Sequence, residues 1–173
     1  SSWKGNLRWM AVHQLVEDRP SLSVPGAFAA RRLRLTQLFG SEKGTEGGNV
    51  DAHTGLARYL DHIGGPDEAR RYQEGLKFLT DTGFLAGRLQ FYSSFFDDMD
   101  IEVINPQQRR TAAGTTPIQI ECVPIGAHAL FSLLYAPLDL ASASDAERRA
   151  ALLADMPLIA HAIADLFCTY GFS

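Results

Sequence analysis

The feature that most constrains this chain is a change of period near Leu85. Before it, apolar residues recur at three- and four-residue spacing, the mark of one buried helix face. Trp3, Leu7, Met10 or Ala11 and Leu15 form the first such set. Phe28, Leu33, Leu35 and Leu38 form a second, and Leu56, Tyr59, Leu60, Ile63, Ala69, Tyr72, Leu76 and Leu79 continue the pattern. Beyond Leu85 the residues favour strands: Leu89, Phe91, Phe95 and Phe96, then Ile101, Val103 and Ile104, then Ile118, Ile120 and Cys122 alternating with Gln119 and Glu121. A final apolar region returns to helical character. The order of helices, strands and helix predicts an α+β fold.

Punctuation residues place the boundaries. The first helix is expected from about Trp3 to Glu17, where Pro20 and Pro25-Gly26 interrupt the pattern. A second runs from about Ala27 and stops at Gly40. Residues 41–55 are small and polar and read as a loop. Their Gly47-Gly48 pair lacks both the Gly-x-x-x-x-Gly-Lys-Ser/Thr spacing and a preceding strand, which excludes a phosphate loop. Residues 56–82 read as helical with a break at Gly64-Gly65-Pro66, so that about 42–83 forms a helical insertion before the strands. Residues 106–117 are polar and read as a loop. A turn at Pro124-Ile125-Gly126 is expected to join 118–122 to 129–135 as two antiparallel strands. Ser144 and Glu147 have capping-box spacing for a last helix reaching about Tyr170, with a kink or break near Asp155–Met156 caused by Pro157 and a stop at Gly171.

Length and composition bound the class. The 173 residues suit one domain, 1–173, and 46% apolar with 21% charged residues are globular values. Cys122 and Cys168 form no Cys-x-x-Cys pair, and the sequence shows no secretory pattern, which points to a reducing cytoplasm. The apolar region 150–167 carries Asp155, His161 and Asp165, an argument against a membrane span. Net charge is −4, yet residues 1–40 hold Lys4, Arg8, Arg19, Arg31, Arg32 and Arg34 against Glu17 and Asp18. That basic front on an acidic remainder allows a local phosphate-binding surface without requiring one.

The opening stretch Ser1-Ser2-Trp3-Lys4-Gly5-Asn6-Leu7-Arg8 admits two readings. Ser1 and Ser2 suit an N-cap, in which a hydroxyl oxygen accepts from first-turn amides. The same amides and hydroxyls, with Lys4 beside them, would also suit a phosphate. This stretch resembles the Ser-Ser-x-Lys-Gly-x-Leu-Arg signature of the RAMP superfamily, the RNA-binding backbone subunits of type III CRISPR effector complexes. Further matches follow in order: Leu38-Phe39-Gly40-Ser41, Gly87-Arg88-Leu89-Gln90-Phe91, Val103-Ile104-Asn105-Pro106 and Cys122-Val123-Pro124-Ile125-Gly126-Ala127. The ordered series is more specific than any of its members.

The resemblance implies a ferredoxin-like (RRM-like) fold, an antiparallel sheet with helices on one face. The first and last strands of that β-α-β-β-α-β pattern are missing within this chain, so residues 1–173 are expected to be the interior of a longer RAMP-like domain, with its sheet completed by chain outside them. It implies guide RNA, target RNA and other RAMP subunits or domains as partners, an antiviral defence role, no membrane and no cofactor. Ser1, Ser2, Lys4, Gly5 and Arg8 match positions that contact the guide backbone. Asn105, Arg109 and Arg110 fall where such proteins present RNA-contacting loop residues.

The remaining constellations are weaker. Asp97-Asp98-x-Asp100 suggests metal-dependent endoribonuclease chemistry as the competing function, but three carboxylates at a strand end also make an ordinary solvated turn, and no histidine is near in sequence. In the superfamily the cleaving aspartate would fall before Ser1, so no catalytic residue is assigned. His13, His128 and His161 are scattered, and His53, Asp61 and His62 lack ordered ligand spacing, so no metal site is assigned either. Trp3 reads as core. Trp9, six residues on and off that face, is a candidate stacking surface.

Overall fold

A computed structural model describes residues 3–40, 55–79, 85–104 and 117–170. Five α-helices appear among them: α1 (Trp3–Glu17), α2 (Ala27–Phe39), α3 (Gly55–Gly64), α4 (Pro66–Leu79) and α5 (Asp145–Ala164). There are four strands: β1 (Leu89–Phe91), β2 (Asp100–Ile104), β3 (Ile118–Cys122) and β4 (Leu133–Tyr135). They form two small antiparallel two-stranded sheets, β1–β4 and β2–β3. The protein is α+β. Its described residues gather into two compact units, one holding the helices and the β1–β4 pair, the other spanning Tyr92–Leu133.

The helical unit follows the apolar spacing closely. α1 packs on α2 and α5, α2 packs on α4, and α3 packs on α4. Leu7 and Leu15 of α1, Phe28 and Leu38 of α2, Tyr72 of α4 and Leu166 after α5 are almost wholly buried. The segment expected as an insertion therefore contributes to this core, and Tyr72 and Leu76 cluster with Ala29 and Leu33 of α2. α2 begins after Gly26 with neither a side-chain cap nor an acidic residue in its first turn. Its amides are satisfied from a distance instead: Gly26 N and Ala29 N donate to Glu68 Oε1 and Oε2 of α4 at 2.6 and 2.8 Å. Burial pushes the Glu68 carboxyl up, but these amides, with Arg71 and Arg19, bring it below the usual value.

Two of the ordered motifs meet at one backbone crossing. Gly40, at φ 82°, lies against Gly87: a Cβ on Gly40 would stand 2.7 Å from Gly87 N, and one on Gly87 would stand 2.6 Å from Phe39 C. Only glycine at both positions allows this approach. Arg88 N donates to Gln37 O at 2.9 Å across it, and the Phe39 and Phe91 rings stack at 6.4 Å.

Two expectations are corrected. The turn 124–126 does not fold 118–122 against 129–135. β3 pairs with β2 instead, from Asp100↔Cys122 to Ile104↔Ile118. Beyond the turn the chain keeps the same neighbour, with Asp97 N donating to His128 O at 2.9 Å and Phe96 bridging Ala129. Residues 123–127 thus bulge from one arm of a ribbon, where five residues face only Asp98 and Met99. Of the kink or break expected near Asp155–Met156, the break does not occur: the last helix runs on past Pro157 through Ala164 and a π-helical segment, Asp165–Tyr170. The Ser144–Glu147 capping box forms in full.

Candidate functional site

The sequence-predicted site residues separate into those on α1 and those outside the described residues. Ser1, Ser2, Asn105, Arg109 and Arg110 belong to the second group. Lys4, Gly5 and Arg8 lie in the first two turns of α1, and Lys4 and Arg8 stand one turn apart on adjacent levels of one face. The first turn of α1 holds no acidic residue. A lysine there opposes the helix dipole. Gly5 is exposed, and Lys4 and Arg8 are partly so. Trp9 is 55% exposed, whereas Trp3 packs on Phe167 with centroids 5.7 Å apart.

The basic front end narrows once partners are seen. Arg31 pairs with Asp18 at 2.7 Å, Arg32 with Asp61 at 2.5 Å and Arg34 with Asp155 at 2.5 Å. Arg32 also lies over the Tyr72 ring, 3.8 Å from its centroid. Arg19 donates to Ile63 O and Leu22 O. These arginines hold the helices together, and Lys4 and Arg8 of α1 also have interaction partners. A small cavity beside Arg8 and Arg32, lined by Val12, Leu35 and Leu60 among others, holds about 30 Å³. That is room for a water and not for a substrate.

The acidic cluster is resolved differently from its sequence reading. Asp98 Oδ1 accepts from Met99 N and Asp100 Oδ1 from Ile101 N, at 2.9 and 2.7 Å. Asp97 Oδ1 accepts from His128 N at 2.6 Å, and its Oδ2 lies 3.4 Å from His128 Nδ1. The fold therefore brings a histidine to Asp97 that linear spacing could not show, because 31 residues separate them. Both side chains are largely exposed. Among the described residues, no group of three or more His, Cys, Asp or Glu side chains could hold a metal ion.

Sequence reasoning missed the most buried polar centre. Asp155 is wholly buried; it accepts from Arg34 Nε at 2.5 Å, Arg88 NH1 at 2.7 Å and Tyr135 Oη at 2.7 Å. Arg88, 4% exposed, also holds Asp139 through Nε and NH2, at 2.6 Å for the shortest contact. Burial pulls the Arg88 guanidinium down, but its bonds to Asp139 and Asp155 outweigh this and raise it above its ordinary value. Burial first, and then the bond to Asp155, push the Tyr135 hydroxyl up to about 12. Asp155 and Asp139 accept from Arg34, Arg88 and Tyr135, so the centre is a lock joining α2, the entry to β1, β4 and α5. An aspartate in an apolar run, Met156-Pro157-Leu158-Ile159 following it, was the available signal.

No protein-family model, curated protein or solved structure matches this chain.

Proposed function

We propose that this chain is an RNA-binding part of a type III CRISPR RNA-guided effector complex, a RAMP-type domain that holds the guide backbone and is not itself catalytic. Its fold would be a ferredoxin-like sheet completed by further chain, with other RAMP subunits or domains and the target RNA as partners, in the cytoplasm. The observation that carries this reading is the pair Lys4 and Arg8, one turn apart at the start of a helix whose first turn has no carboxylate. The meeting of the Gly40 and Gly87 motifs at one crossing supports treating the ordered series as parts of one design. Lys4 would act as a point charge, Gly5 would leave the backbone accessible, and Arg8 would reach the next phosphate. Sequence would be read by the guide, not by these residues.

The test is RNA affinity at several salt concentrations. Lys4→Ala and Arg8→Ala should each weaken binding of unrelated single-stranded RNAs by about 1–2 kcal/mol. Each should also flatten the log-affinity against log-salt slope by about 0.7. Unchanged affinity and slope in a folded double variant would refute the reading.

A second reading, an endoribonuclease, draws on the Asp97–His128 pair. It requires that Asp97→Ala or His128→Ala abolish cleavage while RNA binding stays intact. On the preferred reading both variants leave binding and any complex-level cleavage nearly unchanged, with or without divalent metal.

A further inference from the structure

The last helix is apolar on both sides. Its inner face, Leu158, Ile159, Ala162 and Leu166 around Asp155, is buried in the helical unit. On the opposite side Ala150, Leu153, Pro157, Ala160 and Ala164 are all exposed, Leu153 to 65%. Their spacing alternates three and four residues, so they share an arc of about 80°. No Lys, Arg, Asp or Glu interrupts that arc. A helix that is apolar all round ordinarily has both faces covered.

We infer that the exposed stripe of α5 is a self-association surface, and that its occupant is the same stripe of a second copy, running antiparallel about a two-fold axis. The argument is the order of sizes along the stripe. In the antiparallel register Leu153 of one copy meets Ala164 of the other, and Pro157 meets Ala160. Each larger side chain faces a small one, as close packing demands. A parallel pairing would set Leu153 on Leu153, leaving gaps at the alanines. The drift of a three-four repeat matches the shallow left-handed crossing of such pairs. Charge agrees: exposed Arg149, with no ion-pair partner among the described residues, would lie beside the negative carboxyl end of the opposing helix. The contact spans about 15 residues, or ~22 Å, which places it at the small end of specific interfaces and makes the dimer reversible.

Asp145–Thr169 is also long and apolar enough, by length and composition, to cross a membrane. The buried, ion-paired Asp155 on its inner face favours a protein neighbour for the outer one. Sedimentation equilibrium on the 173-residue chain, up to high-micromolar concentration, should show a monomer–dimer equilibrium. Leu153→Arg and Ala160→Arg should each weaken association by about 30-fold or more, while thermal midpoint and helical content stay unchanged because both positions are exposed. To fix the geometry, Leu153→Cys and Ala164→Cys chains would be mixed in a Cys122→Ser/Cys168→Ser background. Cross-linked product should be mainly the mixed pair. A monomer at all concentrations, cross-linking mainly of Leu153→Cys to itself, or a monomer that instead binds phosphatidylcholine–phosphatidylglycerol vesicles through Leu153 would each overturn the inference.

Discussion

In the helical unit, Asp18, Asp61, Asp139 and Asp155 each face an arginine from a different element. In the ribbon of Tyr92–Leu133, Asp98 and Asp100 face the backbone amide of the next residue and Asp97 faces His128 across the ribbon, and its described residues include no lysine or arginine at all. The same side chain thus does two kinds of work. At Asp155 and Asp139 a carboxylate in low dielectric joins segments far apart in sequence, and its loss strands the buried guanidinium of Arg88. Along the ribbon, the carboxylates remain in water, where they terminate turns and discourage edge-to-edge pairing. Burial follows the same division: every residue of β2 is exposed, whereas Leu7, Leu15 and Leu38 are almost inaccessible. Cohesion in one unit is tertiary. In the other it is mostly the ladder between β2 and β3.

The sharpest way to break this comparison is at Asp155. Asp155→Ala removes the acceptor of Arg34, Arg88 and Tyr135 together, and leaves Arg88 buried with only Asp139. Urea unfolding followed by helical circular dichroism should show a loss of about 3–5 kcal/mol. Arg88→Met with Asp155→Leu, replacing charge by apolar volume on both sides, should recover part of it. A loss below about 1 kcal/mol would mean that the centre is solvated in solution and that the two units do not differ as described.

A smaller effect is expected at Glu68, which caps α2 from α4. Glu68→Gln should cost about 1 kcal/mol at neutral pH, since one oxygen still accepts but the charge opposite the helix start is gone. The sign with pH follows from its lowered folded value. That contribution is present above the ordinary value of 4.5 and is lost as pH falls through the lower folded value. The gap between the native chain and Glu68→Gln should therefore close on acidification below about 4.5. A gap that widens toward acid would show that Glu68 is not held as a carboxylate by these amides.

What the sequence disclosed divides along the same line. α1, α2, the break at Gly64-Gly65-Pro66 and the capping box of α5 were readable because each depends on residues within a few positions: period, proline, glycine or hydroxyl. The charge lock was not, since Asp155 and Arg88 are 67 residues apart and only the fold decides which carboxylate an arginine meets. The cap from Glu68 escaped for the same reason. In the ribbon, alternation announced the strands but not their partners, and a Pro-Ile-Gly turn that normally closes a hairpin became a bulge. Of the candidate site, Lys4 and Arg8 kept their predicted spacing. The arginines of α2 lost their availability to partners that no local pattern names.

The smallest expected effect lies in the ribbon and tests the comparison from its other side. Ile101 is 61% exposed on β2, opposite Glu121, and among the described residues every one of β2 is exposed. Ile101→Thr keeps the branched Cβ that suits a strand while removing apolar surface, so strand preference changes little and no cavity opens. Global stability should stay within about 0.5 kcal/mol of the native chain. Hydrogen exchange separates the regions in the same sample: amides of β2 and β3 should open with a free energy well below that of α1 and α2, in native and variant chains alike. A two-stranded ladder without a packed face is marginal in water, which is why its opening should be local. If Ile101→Thr lowered the global midpoint as much as a core deletion, or if β2 amides were protected as strongly as those around Leu15, Ile101 would be buried in solution. The ribbon would then have a packed face of its own, and the contrast between tertiary cohesion and ladder cohesion would fail.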